Sequence, residues 1–172
     1  MDLYVQLAKN VIDHYIRERR IYHPSAEELT EEMTAARAGA FVSIHEHGEL
    51  RGCIGTIEPV RKNLAEEIIS NAISASTRDP RFEPVSEEEL DQLEINVDVL
   101  TPPQPISSEA ELDVRRYGVI VEKDFRRGLL LPDLEGVDSV AYQVSIAKRK
   151  AGIGEKEKDV RLYRFEVIRH VP

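Results

Sequence analysis

The chain has 172 residues, a formal net charge of −9, 41% apolar residues and 32% charged residues. That is the make-up of an ordinary globule, and its acidity argues against a broad nucleic-acid surface, which needs clustered cations, and against anionic membranes. One cysteine excludes an internal disulfide and sets a reducing compartment as the expectation; no run approaches the roughly 20 apolar residues of a membrane span, and the start MDLYVQLAKN lacks a secretory layout, so the cytoplasm is expected.

Residues 2–20 predict a helix, with Leu3, Leu7, Ala8, Val11, Ile12, Tyr15 and Ile16 on one stripe and Arg17, Arg19 and Arg20 near its negative end. Pro24 ends that run, and Ser25 with Glu28 makes a capping box for a short acidic helix. Residues 39–56 predict a β-hairpin: Ala40 to His45, a turn at Glu46-His47-Gly48-Glu49, then Leu50 to Thr56. Residues 61–77 follow as an amphipathic helix, stopped by Arg78-Asp79-Pro80-Arg81-Phe82. Ser86 and Glu89 make another capping box. Leu93 to Leu100 alternates apolar and polar, as a strand with one dry face does. Thr101-Pro102-Pro103-Gln104-Pro105 is a stiff connector.

The second half repeats the plan. Tyr117 to Glu122 and Arg127 to Leu131 are strands around a turn, residues 138–151 a helix, and Arg161 to Ile168 a closing strand. Each half is hairpin, helix, strand, and Arg127-Gly128 answers Arg51-Gly52. The expectation is α+β: a single domain over 1–172, with pseudo-repeats at about 39–100 and 117–169, forming one curved, mostly antiparallel, barrel-like sheet with helices packed on it.

The chemistry concentrates in Leu50-Arg51-Gly52-Cys53-Ile54-Gly55-Thr56. Residues two apart in a strand share a face, so Arg51, Cys53 and Gly55 project together. A guanidinium beside a thiol favours the thiolate and lowers its pKa from about 8.5. Gly55 would leave a gap beside the sulfur. The alternative is that Cys53 is a small buried hydrophobe. A cysteine nucleophile needs a base, and His45 and His47 are near in sequence. A two-residue turn at His47-Gly48 sets Ile44 against Arg51, Val42 against Cys53 and His45 against Leu50 on the other face; a bulge would reverse this. No CxxC pair or second histidine cluster completes a metal site. Arg81 and Asp79 are either a helix stop or a cationic grip folded back over Cys53. Leu129 stands where a second thiol would be, so the second hairpin is expected to be scaffold. Lys148-Arg149-Lys150 reads as a helix end, with an anion site as the alternative.

Leu50 to Thr56, with Asp79-Pro80-Arg81-Phe82, Arg127 to Pro132 and Lys150-Ala151-Gly152, resembles the AMMECR domain family, whose microbial members are the AmmeMemoRadiSam system protein A type. The resemblance implies a barrel-like sheet of two related repeats. It also implies work beside a Memo-type protein and a radical-SAM protein; separately, no cofactor is expected. On this reading Cys53 and Arg51 are the candidate catalytic residues, and Gly52, Gly55, Thr56, Asp79 and Arg81 line the place where a small molecule or peptide binds. The competing expectation is a non-catalytic domain that docks a peptide or partner on the glycine-rich strand, by edge pairing. Dinucleotide, P-loop, nucleophile-elbow and His-Glu-x-x-His motifs are all missing.

Overall fold

The computed structural model describes residues 2–172. In chain order the elements are α1 (Leu3–Glu18), α2 (Glu31–Ala35), β1 (Ala40–Glu46), β2 (Glu49–Gly55), α3 (Leu64–Thr77), β3 (Leu93–Leu100), β4 (Gln104–Ile106), β5 (Gly118–Lys123), β6 (Arg126–Leu130), α4 (Val140–Ala151), β7 (Arg161–Phe165) and β8 (Val167–His170). Short 3₁₀ turns lie at Ala26–Glu28, Glu87–Gln92 and Glu109–Glu111. The Ser25–Glu28 and Ser86–Glu89 capping boxes both form, on these turns rather than on full helices.

The α+β class and the antiparallel pairing are as expected, but the strands make two four-stranded sheets, not one barrel-like sheet. One sheet runs β2-β1-β3-β8 and the other β4-β7-β5-β6. The connector after β3 contains Pro102 and Pro103, which bring no N–H to a ladder. The segment expected as one closing strand breaks at Glu166, whose N–H donates to Thr101 Oγ1 at 2.8 Å and whose carbonyl accepts from Thr101 N–H at 2.9 Å. Its two parts, β7 and β8, belong to different sheets.

The chain divides into two compact units, Met1–Leu100 with Ile168–Pro172, and Thr101–Val167. In the first, α3 packs on β1 and β2 and α1 packs on α3 and β3. Leu7, Val11, Ile12, Val42, Ile44, Leu64 and Ile68 are its buried centre. Asp2 caps α1 and also holds His170 Nδ1 at 2.7 Å, and the His170 ring stacks on Tyr4 at 3.8 Å. In the second unit α4 packs on β5 and β6 over Val119, Val121, Leu130, Val144 and Ala147.

The two hairpins use one packing device. A Cβ on Gly52 would stand 2.2 Å from the carbonyl oxygen of Ala75, and one on Gly128 would stand 2.4 Å from that of Ala147. Only glycine lets helix backbone approach strand backbone this closely.

Candidate functional site

The site is built on β2, an edge strand. His47 and Gly48 close the β1–β2 turn with φ of 52° and 80°. Glu46 therefore faces Glu49, and His45 faces Leu50. The pairing then slips. Ile44 faces Gly52 and Ser43 faces Cys53, which leaves Arg51 as the extra residue of a bulge. The expected partners, Val42 for Cys53 and Ile44 for Arg51, are thus each displaced by one residue. Val42 and Ile44 stay buried on the helix side. Cys53 shares the opposite face with Ser43, its Sγ 3.3 Å from Ser43 Oγ. Alternation along β1 puts His45 on that face too, correcting the expected separation of His45 from the thiol.

Ser43 and Cys53 form a pair whose backbone groups turn away from each other, the arrangement that brings side chains closest. Cys53 therefore points its N–H and C=O toward the edge of the sheet. Side chains from the segment after α3 meet both. The N–H donates to Asp79 Oδ2 at 3.0 Å, and the carbonyl accepts from Arg81 Nη2 at 3.4 Å. Asp79 is a buried carboxylate, and it also accepts from Arg81 N–H at 3.1 Å, Nε at 3.0 Å and Nη2 at 2.8 Å. The Arg81 guanidinium beside it, then the backbone N–H bonds, hold this carboxyl well below the usual range. The Asp79 side chain is 2% exposed, whereas that of Arg81 is 57% exposed. The pair thus seals the strand edge at Cys53 and displays a cation there.

The thiol's surroundings reverse the expected activation. Burial pushes the Cys53 thiol up, and the Ser43 hydrogen bond and the Arg81 charge offset this only in part. Arg51 is committed elsewhere. Its Nε and Nη2 grip Glu89 at 2.8 and 3.1 Å, and Nη1 and Nη2 donate to the carbonyls of Glu83 at 2.8 Å and Pro84 at 3.3 Å. The bulge at Arg51 breaks the two-residue alternation on which the Arg51–Cys53 pairing was expected. The cation near the sulfur is Arg81.

Three residues expected to bind substrate have packing roles. Gly52 lies under α3. Gly55 lies under the Phe41 ring, 2.2 Å from where its Cβ would stand, so the expected gap beside the sulfur is filled. Thr56 donates to Glu67 Oε2 at 2.7 Å and accepts from Asn71 at 3.3 Å. The buried Glu67 also accepts the N–H groups of Val60 and Arg61, both at 2.9 Å, and so pins the turn after β2 to α3.

β3 completes the outer face, with Asn96 opposite Ser43 and Asp98 opposite Phe41. Asp98 is buried and paired with Arg169 at 2.8 and 3.2 Å. Across β1, β2, β3 and β8 the outer face therefore carries a hydroxyl, a thiol, a carboxamide and a buried ion pair.

The AMMECR1 family profile matches residues 5–170. The chain belongs to the AMMECR1 family. A Thermotoga maritima relative is 54% identical over 97% of this AMMECR1 chain and 96% of its own. A Clostridium acetobutylicum protein is 46% identical over 98% of this chain, which spans only 36% of that protein's length. The crystal structure of an uncharacterized Pyrococcus horikoshii protein has a TM-score of 0.89 at 32% identity, covering 96% of this chain and 88% of that one.

Several residues of this AMMECR1 site were not anticipated: Ser43, Glu89, Asp98 and Arg169. Asp98 carried no local signal, since alternation sets it on the polar face with Glu94 and Asn96, and its burial depends on Arg169 from β8. Nothing local marks Ser43, because its role depends on the bulge. Among the described residues, no group of three or more His, Cys, Asp or Glu side chains is arranged to hold a metal, and no helix is long and apolar enough to cross a membrane. A hollow of about 260 Å³ lies along α1, lined by Asn10, Asp13, His14, Arg17, Glu18 and Tyr22, and includes none of the site residues.

Proposed function

We propose that this chain is a substrate-recognition component of a modification system, acting beside Memo-type and radical-SAM proteins, and that it binds rather than performs covalent chemistry. The recognition surface is the edge and outer face of β2 around Cys53, with Arg81 as the exposed contact and Asp79 as the residue that positions it. The thiol serves as a neutral, compact part of that surface. The internal duplication read from the sequence belongs to the same proposal: one hairpin carries the surface, and the other, with Leu129 in place of the thiol, is scaffold.

The observation that carries this reading is the Asp79–Arg81 clamp on the Cys53 backbone. It fixes an exposed guanidinium in one place beside a thiol that burial keeps protonated. A planar cation held this way suits a carboxylate or phosphate on an incoming chain or molecule. The clamp also occupies the backbone groups that edge pairing would need at Cys53, so docking is to the face and the guanidinium rather than by strand addition. The clostridial relative, in which the matched region is about a third of a longer chain, supports a domain that works next to further protein.

The test is binding of a purified Memo-type protein from the same genome, followed by calorimetry. Arg81→Ala is expected to weaken binding at least about tenfold, the size of one lost charge-assisted contact. Cys53→Ser is expected to leave it within a few-fold. Equal loss in both variants, with rapid alkylation of the native thiol at neutral pH, would return the thiol to a catalytic role.

A further inference from the structure

The segment that carries Asp79 and Arg81 is tied to β2 at a second place. Arg51, displaced outward by the bulge, holds the carbonyls of Glu83 and Pro84 and the carboxylate of Glu89. Glu89 in turn accepts from Ser86 N–H at 2.7 Å and Ser86 Oγ at 3.1 Å. A second carboxyl stands at the same guanidinium. Glu46, the last residue of β1, brings its Oε2 to 3.8 Å from Arg51 Nε, the same nitrogen that Glu89 Oε1 holds at 2.8 Å. Both acids are mostly buried, with side-chain exposures of 17% for Glu46 and 23% for Glu89.

Two carboxyl groups bond to each other only when one carries a proton. When both are charged, a single guanidinium faces two anions. The other groups around them do not remove that conflict. His47, in the turn, reaches Glu46 only at 4.0 Å and is 72% exposed. Glu83, whose carbonyl accepts from Arg51, is another anion. β3 sets Leu93 opposite Glu46, with Glu94 one step away opposite His45.

We propose that Glu46 and Glu89 form a proton-dependent latch on segment 79–89, which holds that segment to β2 tightly when they share a proton and more loosely when both are ionised. The latch regulates the clamp at Cys53, because Asp79 and Arg81 lie on the same segment. Its meaning for recognition rests on the proposed function, whereas the latch itself does not.

The direction follows from the two carboxyls. The hydrogen bond to Glu89, then burial, raises Glu46 above its ordinary value, so its contribution is complete below the ordinary carboxylate range and is lost as pH rises through the raised value. Arg51 holds Glu89 down to about 2, so its contribution is lost only as pH falls to that level. The latch is therefore tight in mild acid and looser toward neutral pH.

The experiment is amide hydrogen exchange on the whole chain, corrected for intrinsic rates, at mildly acidic and neutral pH. Val85 N–H, bonded to Ser76, and Glu89 N–H, bonded to Ser86, report on the segment. In the unmodified chain their protection should fall several-fold toward neutral pH. In Glu46→Gln the carboxamide donates to Glu89 at every pH, so protection should stay high and flat. Glu83→Gln, which leaves the carboxyl pair intact, should keep the fall. Equal pH dependence in the unmodified chain and Glu46→Gln, or no fall in the unmodified chain, would overturn the latch. Neither result bears on whether Arg81→Ala weakens partner binding, so the two ideas fail separately.

Discussion

Asp79 and Cys53 lie 26 positions apart and meet through one hydrogen bond, from the backbone N–H of Cys53 to the buried carboxylate of Asp79 at 3.0 Å. Through it a loop after a helix stands in for the missing neighbour of an edge strand. Arg81 closes the same position from the carbonyl side, and what remains in view is a fixed guanidinium.

Removing Asp79 should therefore disturb the strand as well as the loop. Asp79→Ala leaves the Cys53 N–H without its acceptor and frees Arg81, at a cost of about 1–3 kcal/mol, read from urea unfolding. Because the Asp79 carboxyl is held low, its stabilisation is present above the ordinary carboxylate range and lost as pH falls below it. Asp79→Asn should flatten the acid limb of the stability curve.

Asp98 and Arg169 should prove a structural pair. Arg169→Ala leaves Asp98, 3% exposed in its side chain, as a buried charge without its guanidinium. The expected loss is about 3–5 kcal/mol, as for other broken buried pairs. The double replacement Asp98→Asn with Arg169→Ala should cost less than Arg169→Ala alone. Thermal unfolding of the three variants distinguishes the cases.

Gly52→Ala and Gly128→Ala should each destabilise by about 1–3 kcal/mol or more, because the new methyl meets helix backbone that cannot step aside. Gly55→Ala meets a ring instead, and Phe41→Leu should recover part of its cost. The double-mutant cycle over Phe41 and Gly55 measures that coupling.

Much of the architecture was legible because it rests on local patterns. The near alternation of Leu93 to Leu100 marks the span of β3, although Asp98 on its polar side is buried, and the apolar stripes over 61–77 and 138–151 become α3 and α4, which start three and two residues later. The two-sheet arrangement was not legible, because it depends on where Glu166 and Thr101 bond, a long-range choice. The candidate site divides the same way. Asp79-Pro80-Arg81-Phe82 left a helix stop and a grip folded back over Cys53 as alternatives, and features of both are present: Asp79 pairs with Arg81 just after α3, and both bond the Cys53 backbone. The partner of Arg51 was misread because a single bulged residue, invisible in composition, changes which side chains meet. Gly55 was taken for open space when its opposite number, Phe41, fills it.

The central claim is that Cys53 is a protonated thiol on a recognition surface and not an activated nucleophile. Its direct test is the pH dependence of Cys53 alkylation by iodoacetamide in the native chain, with the urea-unfolded chain as reference. The native midpoint is expected above the unfolded one, since burial raises it, and Ser43→Ala should move it further up by removing a bond that favours the thiolate. A native midpoint below the unfolded one, with fast reaction at neutral pH, would contradict the account.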